Sequence, residues 1–356
     1  MKDLLQAAAE LVDIPSPSKG ETAIANQIEL ELRSAPWLEV LRVGDNLVAR
    51  TSKGRAARVV MAGHLDTVPP AGNERARIEG DTLFGLGAVD MKGGLAVMID
   101  LACSLDDPAV DITWCFYCAE ESDRKDSGLL ELFEFQPDLL SGDVAILCEP
   151  TGGFPEAGCQ GTLRMRVEVS GKRAHAARPH RGRNAIHRLG PVIDKVASLQ
   201  PRRVELEGCH YTEALQAVWA QGGVAGNVVP DRASVTLNYR FAPDRAGEDA
   251  AAFVEAFLED VMGEPGDSCV VLDRAPGAMP NLDSPLLSAL LRSVGRPPRA
   301  KLGWTDVATF AARGLPAINL GPGDPELAHH PDESVKRQAL EQVRDGLRSF
   351  LQEGVG

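Results

Sequence analysis

The sequence predicts an α/β protein in which one discontinuous domain, built on a mainly parallel sheet, is interrupted by a smaller inserted domain. Two observations lead to this prediction. Helical and strand patterns alternate along residues 1–161 and return over residues 277–356, as expected for a parallel sheet covered by helices. Between them, residues 162–276 contain strict alternation of apolar and polar residues, which is typical of antiparallel strands with one exposed face.

The first part of the chain opens with helical patterns and continues with apolar strands. Residues 1–15 form an amphipathic helical pattern. Ser18 and Glu21 have the spacing of a capping box, which predicts a second helix directly after them. A third helix is predicted over residues 94–103. Strands are predicted over residues 46–51, 58–63, 111–118 and 143–148.

The inserted segment contains the elements of a small separate sheet. In TLRMRVEVS, which begins at Thr162, apolar and polar residues alternate, so we expect a half-exposed strand whose edge is open to a partner. The following elements are a helix from Asn184, the strands ALQAVWAQ and SVTLNYRF, a helix over residues 247–262 and the strand CVVLD. The order β-α-β-β-α-β predicts a compact, ferredoxin-like sandwich.

The pattern of the first domain returns after residue 276. DSPLLSALLRSVG and WTDVATFAARG are helical patterns, and LPAINLG between the last helices is a strand pattern. The final stretch, SVKRQALEQVRDGLRSFLQ, places its apolar residues along one helical face. We therefore expect this segment to complete the first domain.

Composition narrows the kinds of partner and compartment. A formal net charge of −14 argues against nucleic acid or an anionic membrane as a partner. We expect no secretory signal, because the first residues carry Asp3 and Glu10 and contain no unbroken apolar core and no cleavage-like site. We also expect no membrane span, because no run approaches the ~18 apolar residues that a span needs. Seven thinly spread cysteines favour a reduced, cytoplasmic chain. Cys115 and Cys118 lie three apart on a predicted strand and point to opposite faces, so we expect buried apolar residues rather than a metal-binding pair.

Histidine and acidic residues follow several predicted strands, and one more acid lies in a glycine-rich stretch before a helix. These residues are His64, Asp66, Asp90, Glu120, Glu121, Glu149, His329 and His330. Any one of them alone could be a solvated loop residue. Strand ends of a parallel sheet lie along one edge, however, and so many clustered carboxylates require a cation. Ligands without a thiolate favour zinc, with cobalt or manganese as possible substitutes, and their number favours two ions.

These motifs resemble those of the di-zinc aminoacylase/carboxypeptidase family of amidohydrolases. GHLDTVP, GAVDMKGG, AEES, CEPT and AHHPDE occur in the family's order over almost the whole chain. The resemblance implies a di-zinc hydrolase catalytic domain over residues 1–161 and 277–356. It also implies that residues 162–276 form a lid and dimerisation domain, so that the protein would be a homodimer.

The resemblance implies roles for the acidic and histidine residues. The implied zinc ligands are His64, Asp90, Glu121, Glu149 and His329. Asp90 would bridge both ions, and the family has a cis peptide just after it. Glu120 would be the general base that acts on a zinc-bridged water, and Asp66 would hold the first histidine. His329 is preferred to His330 because the family's histidine lies four residues before a glutamate, here Glu333.

Substrate contacts are implied for a second group of residues. Arg240, Asn227 and Thr305 correspond to substrate-binding positions, and His175 to the histidine that reaches across a dimer to the neighbouring site. The chain departs from the family at Gln160, where an arginine is common, and in the length of the loop GPGDPELAH.

Basic residues are concentrated in the inserted segment between Lys172 and Arg188. The stretch contains six lysines or arginines and three histidines. It is either a solvated basic face or a rim that attracts an anionic substrate, with Arg178 as the best member of such a rim.

The resemblance also implies a reaction. EAGCQGTLRMRVEVSGKRAHAARPH, GNVVP, LNYRF and GWTD resemble members, in the form found in actinobacteria, that hydrolyse N-succinyl-LL-diaminopimelate to succinate and LL-diaminopimelate for lysine and cell-wall synthesis. The expected partner is thus a small anionic N-acyl amino acid. Alternatives are acetylornithine deacetylation or a broader aminoacylase, a metallo-aminopeptidase and, more remotely, a non-catalytic ligand-binding relative. The complete metal set with Glu120 argues against the last.

Overall fold

The computed structural model describes residues 3–354, which fall into two compact units. The larger unit comprises residues 3–157, 280–299 and 309–354. The smaller unit comprises Gly158–Met279 and Ala300–Ala308.

The structure differs from the predicted division at Ala300–Ala308, which the sequence placed in the first domain. The carbonyl oxygen of Lys301 accepts a hydrogen bond of 3.2 Å from the backbone N–H of Gln160. Nε1 of Trp304 donates a hydrogen bond of 3.1 Å to the carbonyl oxygen of Pro276. These contacts join segments that are distant along the chain, so the order of helices and strands does not reveal them.

The elements of the described chain are as follows. The helices are α1 (Leu4–Val12), α2 (Thr22–Leu32), α3 (Lys92–Ser104), α4 (Gly128–Phe135), α5 (Ala185–Ser198), α6 (Gly247–Leu258), α7 (Pro285–Val294), α8 (Val307–Ala311) and α9 (Arg337–Glu353). The strands are β1 (Glu39–Val43), β2 (Asn46–Arg50), β3 (Arg58–His64), β4 (Arg77–Glu79), β5 (Thr82–Phe84), β6 (Asp111–Tyr117), β7 (Val144–Leu147), β8 (Glu156–Ala157), β9 (Gly161–Ser170), β10 (Ala174–His175), β11 (Arg203–Leu206), β12 (Cys209–Thr212), β13 (Ala214–Gly222), β14 (Val228–Val229), β15 (Arg232–Phe241), β16 (Ser268–Ala275), β17 (Arg299–Ala300), β18 (Ala317–Asn319) and β19 (Ser334–Lys336).

The larger unit is built on an eight-stranded sheet with the order β1-β2-β6-β3-β7-β18-β8-β17. The central strands β6, β3, β7 and β18 run parallel, whereas β2 and β8 pair antiparallel with their neighbours. Strands β3, β6 and β7 are buried along almost their whole length, as expected for a sheet covered on both faces. The predicted α/β class and the predicted strands of this sheet are confirmed.

The start of α2 corrects the predicted capping box. The helix begins at Thr22, and no side chain caps it. Instead, the hydroxyl of Ser18 donates a hydrogen bond of 2.6 Å to Oδ2 of Asp66. Oε1 of Glu21 accepts a hydrogen bond of 2.8 Å from the backbone N–H of Ala119. The spacing predicted the helix correctly, but the side chains of Ser18 and Glu21 bind residues that are distant in sequence instead of capping it.

The smaller unit contains an antiparallel sheet with the order β13-β15-β9-β16. The chain order β9-α5-β13-β15-α6-β16 follows the predicted βαββαβ pattern. Alternate residues of β9 are buried, and they pack in one core with residues of α5 and α6. Asn184 caps α5 by accepting hydrogen bonds from the N–H groups of Ile186 and His187, as the predicted helix start requires.

The prediction that β9 has an open edge is wrong. This strand pairs with β15 on one side and β16 on the other, so the outer strands of the sheet are β13 and β16. Residues 216–222 of β13 are exposed. Alternation along β9 reflects its one buried face, but it carries no information on the position of a strand within a sheet. The sequence also gave no sign of the hairpin of β11 and β12.

Two smaller expectations concern the membrane and the cysteines. Within residues 3–354, every helix is too short or too polar to span a bilayer. Cys115 is buried in β6, and the half-buried Cys118 follows that strand. Neither forms a disulfide within the described residues, and the Cys118 thiol contacts Oδ1 of Asn46 at 3.2 Å.

Candidate metal centre and active site

The predicted site residues of the larger unit follow the carboxyl ends of its four central strands. His64 is the last residue of β3, Glu120 and Glu121 follow β6, and Glu149 follows β7. His329 follows β18 after a loop. Because these strands are parallel neighbours, their ends lie side by side at one edge of the sheet.

The first cluster, which we call the His64 cluster, consists of His64, Asp90 and Glu149. Nε2 of His64 lies 3.0 Å from Oδ1 of Asp90 and 4.0 Å from Oε1 of Glu149. Nδ1 of the same ring lies 3.0 Å from the carbonyl oxygen of Asp66. His64 and Asp66 are both buried. The contact at Nδ1 orients the ring so that Nε2 faces the two carboxylates, as in a metal-binding histidine.

The second cluster, the His329 cluster, consists of His329, Asp90 and Glu121. Nε2 of His329 lies 2.7 Å from Oε1 of Glu121 and 3.4 Å from Oδ2 of Asp90. The neighbouring His330 faces its own loop, where Nδ1 accepts a hydrogen bond of 3.1 Å from the N–H of Asp332. The geometry therefore favours His329 over His330.

Asp90 is the shared member of the two clusters. Its Oδ1 faces His64 and its Oδ2 faces His329. One potential ligand atom from each of His64, Asp90 and Glu121 lies within 4.8 Å of the other two. The peptide bond between Asp90 and Met91 is cis, as the resemblance implied.

Glu333 holds the loop that carries Asp90, a role that the sequence did not suggest. Its Oε1 accepts hydrogen bonds from the N–H groups of Val89 (2.8 Å) and Asp90 (2.9 Å), and its Oε2 accepts one from Gly87 (2.9 Å). Burial raises the pKa of this carboxyl. Because Glu333 lies four residues after His329, it joins the segments of two predicted ligands. The motif AHHPDE contains Glu333 and could have pointed to this role. From the sequence alone, however, it served only to choose His329 over His330.

The glycine-rich stretch around Asp90 allows close backbone packing. A Cβ atom on Gly94, in the first turn of α3, would lie 2.3 Å from the carbonyl oxygen of Cys148. Only glycine therefore lets α3 approach the end of β7 so closely. This contact explains why glycine occupies position 94 of the glycine-rich stretch.

The histidines supply positive charge to the buried carboxylates. Burial opposes protonation of His64, but its contacts with Asp66 and Asp90 raise its pKa well above the ordinary value. Contacts with Asp90 and Glu121 raise the pKa of His329 to about 10. Burial disfavours the charged form of Asp90, yet the two histidines lower its pKa. A divalent cation would displace these protons, since metal ligands bind in their deprotonated forms.

Asp66 positions the residues that follow β6. Its Oδ1 accepts a hydrogen bond of 3.0 Å from the N–H of Glu120, and its Oδ2 accepts one of 2.9 Å from Glu121. Burial opposes ionisation of Asp66, but contacts with His64 and Ser18 lower its pKa. Asp66 thus orients His64 and anchors the backbone of both glutamates, which makes it a positioning residue.

His175, Arg178 and Asn227 lie together in the smaller unit. His175 pairs with Val228 between β10 and β14. The carbonyl oxygen of Asn227 accepts a hydrogen bond of 2.8 Å from the N–H of Ala176, and that of His175 accepts one of 2.8 Å from Arg178. All three predicted side chains are exposed.

Several basic residues near this group have acidic partners. The ion pairs are Arg173–Asp231, Arg183–Glu264 and Arg188–Asp267. The charges of these arginines are therefore balanced within the unit; Arg173 and Arg183 are exposed, whereas the Arg188 side chain is largely buried. Among residues 3–354, the guanidinium of Arg178 makes no ion pair, which leaves it available to an anion.

Arg240 lies on the four-stranded sheet, at the end opposite to the His175 group. It pairs with Thr162 at the start of β9, whereas the His175 group follows the other end of β9 at Ser170. Eight residues of extended strand separate these ends by about 26 Å. Nε of Arg240 donates a hydrogen bond of 3.1 Å to Oδ1 of Asn238, and within the described residues its guanidinium has no carboxylate partner. Burial lowers the pKa of Arg240.

Thr305 and Gln160 lie near this second end. The buried Thr305 has its carbonyl oxygen 3.8 Å from Sγ of Cys159. Nε2 of the buried Gln160 donates a hydrogen bond of 2.8 Å to the carbonyl oxygen of Thr212. Gln160 therefore makes a structural contact at the position where the family often has an arginine.

Comparison with known proteins identifies the family. A profile of peptidase family M20/M25/M40 matches residues 60–353, which include every residue of both clusters. The chain belongs to this family. The M20 fold and the hydrolytic class expected from the motifs are therefore confirmed.

Two relatives of this M20 protein match over nearly its full length. A Mycobacterium tuberculosis protein, provisionally named succinyl-diaminopimelate desuccinylase DapE, is 50% identical over 352 residues, or 98% of each chain. The succinyl-diaminopimelate desuccinylase of Corynebacterium glutamicum is 44% identical and covers 99% of this chain and 96% of its own. The resemblance to the actinobacterial form is confirmed.

Solved structures share the fold at low identity. A Staphylococcus aureus tripeptidase superposes with a TM-score of 0.81 at 20% identity and covers 99% of this chain and 98% of its own. The Bacillus subtilis protein YXEP, described as a dinuclear metal-binding peptidase, gives 0.74 at 16% identity and covers 98% and 97%. At such identities these likenesses establish the fold alone.

Proposed function

We propose that this M20 protein hydrolyses the amide bond of N-succinyl-LL-diaminopimelate to succinate and LL-diaminopimelate. The observation that carries the reaction type is the pair of histidine–carboxylate clusters that share Asp90. The substrate is proposed from the names of the relatives that are 50% and 44% identical to this chain. The reaction would serve the synthesis of lysine and of the diaminopimelate in cell walls.

We propose that the two clusters bind two zinc ions, with cobalt or manganese as possible substitutes. The donors fit zinc because they are imidazole nitrogens and carboxylate oxygens, and because Asp90 presents one oxygen to each histidine. His64 and Glu149 would hold one ion, and Glu121 and His329 the other. When bound, zinc supplies a Lewis acid for the amide carbonyl and lowers the pKa of water towards neutrality.

Glu120 is the proposed proton carrier. Its backbone is fixed by Asp66 beside the predicted ligand Glu121. The carboxylate would accept a proton from the attacking water and pass it to the departing amine, so that its own charge is restored after each turnover. The cleaved bond is the carbon–nitrogen bond of the amide, and the products carry a new carboxylate and a new amine.

Binding of the anionic substrate is proposed for cationic and polar residues of the smaller unit. A half-buried guanidinium that has no carboxylate partner among the described residues, as in Arg240, is costly unless an anion completes it. Thr305 lies near the same end of the sheet as Arg240. At the other end, Arg178, Asn227 and His175 form the second group, and His175 would stabilise the oxyanion that develops during attack.

The distance between these two groups supports a homodimer. About 26 Å of strand lies between the Arg240 end and the His175 end of the sheet, so one small substrate cannot contact both ends of one chain. A two-fold partner could supply one group to the site of its neighbour. The exposed outer strand β13, which includes Trp219, is a candidate surface for such pairing.

We place this function in the cytoplasm. Within residues 3–354, none of the seven cysteines forms a disulfide. Thiols persist in the reducing cytoplasm, which also fits an enzyme of amino-acid synthesis.

A substrate panel tests the proposal. Zinc-loaded protein is given N-succinyl-LL-diaminopimelate, N-acetylornithine or a dipeptide at equal concentrations, and amine release is measured. We expect the succinyl substrate to have the highest kcat/KM. A preference for either other substrate refutes the proposed specificity, and full activity in the presence of a chelator refutes the metal mechanism.

A further inference from the structure

Four consecutive backbone N–H groups after β6 are held by side chains rather than by a neighbouring strand. These bonds run from Cys118 to Oδ1 of Asn46 (3.0 Å), from Ala119 to Oε1 of Glu21 (2.8 Å), from Glu120 to Oδ1 of Asp66 (3.0 Å) and from Glu121 to Oδ2 of Asp66 (2.9 Å). All three acceptor side chains are buried. They come from three separate segments, so tertiary structure determines the path of the chain at the two glutamates.

Ala119 is the residue at which this path turns. Its φ of 58° lies in the left-handed region, which is unfavourable for a residue with a Cβ atom. Such a conformation persists only when its surroundings enforce it. Oε1 of Glu21 accepts the N–H of this same residue, immediately before Glu120.

Glu21 also accepts backbone hydrogen bonds within its own segment, from the N–H groups of Lys19 and of Glu21 itself, and its bond from Ala119 links that segment to the turn before Glu120. It precedes α2 but does not cap that helix with its side chain. Its neighbour Thr22, by contrast, is exposed and donates a hydrogen bond of 2.7 Å to Oδ2 of the half-buried Asp45. The two adjacent residues therefore differ in direction, and Thr22 provides a matched control.

We propose that Glu21 is a positioning residue for Glu120, because its carboxyl oxygen fixes the turn at Ala119 that orients the catalytic glutamate. This inference rests on the proposed function, in which Glu120 carries the proton. What matters is the reach of the acceptor oxygen rather than its charge. A side chain of equal length and no charge should therefore replace Glu21, whereas a shorter carboxylate should not.

Two variants separate reach from charge. Glu21→Gln retains an acceptor at the same distance, and we expect its kcat to stay within about fivefold of wild type. Glu21→Asp keeps the charge but moves the carboxyl oxygen away from the N–H of Ala119. We expect its kcat to fall by about 10-fold or more and its KM to stay within about threefold of wild type, because small misplacements of catalytic groups are costly. Thr22→Val should leave kcat unchanged. An aspartate variant with wild-type kcat, or a glutamine variant as impaired as the aspartate variant, overturns the proposal.

A double-mutant cycle tests whether Glu21 acts through Glu120. In a Glu120→Gln background, Glu21→Asp should lower the residual kcat by less than about twofold, because the group that it positions is already inactive. An equal loss in both backgrounds indicates a general structural effect and contradicts the proposal.

A measurement without substrate distinguishes this inference from the proposed function. The visible absorption of the cobalt-loaded protein reports the arrangement of its ligands, and Glu121 lies two residues after Ala119. We expect Glu21→Asp to change the spectrum, and Glu21→Gln and Thr22→Val to preserve it. If the wild-type protein fails to cleave the succinyl substrate, the proposed function fails, but the spectra still decide the positioning role. An unchanged spectrum in Glu21→Asp overturns that role.

Discussion

Two inactive variants should restore activity to each other if the active site is shared between subunits. His175→Ala removes the proposed oxyanion contact, and Glu120→Ala removes the proton carrier. The two residues belong to different units of the chain. In a mixed dimer, the chain that lacks His175 keeps its metal ligands and Glu120, and its partner supplies the missing histidine.

The structure sets the expected magnitude. About 26 Å of β9 separates the His175 end of the sheet from the Arg240 end, so in the proposed shared site a small substrate bound to Arg240 would contact the histidine of another chain. Random pairing of equal amounts makes half of the dimers mixed, and each mixed dimer has one complete site of two. Recovered activity should therefore be about a quarter of wild type.

The assay is dissociation of the two variants, mixing, reassociation and measurement of amine release. Each variant treated alone is the control for incomplete inactivation. Mixed dimers purified through two different affinity tags should have about half of the wild-type activity per dimer. If mixing recovers nothing, or if the active wild-type protein is a monomer, the shared-site reasoning is refuted.

Four further predictions concern single side chains. Glu120→Gln should retain both metal ions but lose roughly 10²–10⁴-fold in kcat, and a loss of only a few-fold would contradict its role as base. Asp90→Ala should impair metal binding at both sites, whereas His64→Ala should leave close to one ion per chain by metal analysis. Glu333→Ala leaves three N–H groups without their acceptor and should lower the free energy of unfolding by about 3 kcal/mol or more in urea titrations; a smaller loss would mean that water replaces the carboxylate. Asp267→Asn should destabilise the protein at pH 6 but not near pH 2, because the hydrogen bond from the Arg188 guanidinium lowers the pKa of Asp267 to about 2. That stabilisation is complete above the unfolded pKa near 4 and is lost as the pH falls through 2, so a pH-independent difference in urea stability would contradict it.

The sequence by itself determined the central sheet and the place of the acidic and histidine residues in it. Apolar runs end directly before His64, Glu120 and Glu149, and an apolar strand buried on both faces is visible in composition alone. Since parallel strands end at one edge, their order along the chain was enough to predict that these residues converge. Family motifs then distinguished His329 from His330, which local patterns could not do.

Only the tertiary structure decided which side chains support the site. Ser18 and Glu21 carry a local capping signal, yet they bind Asp66 and Ala119, which are distant in sequence. The role of Glu333 as an acceptor likewise depends on the folded position of the loop that carries Asp90, which belongs to another segment of the chain. Strand β9 is internal because it pairs with a strand on each side. The sequence could not show this, since hydrogen bonding on the second edge leaves no trace in the alternation of residues. Local patterns record burial and backbone preference, whereas a buried carboxyl finds its donors wherever the completed fold places unpaired N–H groups.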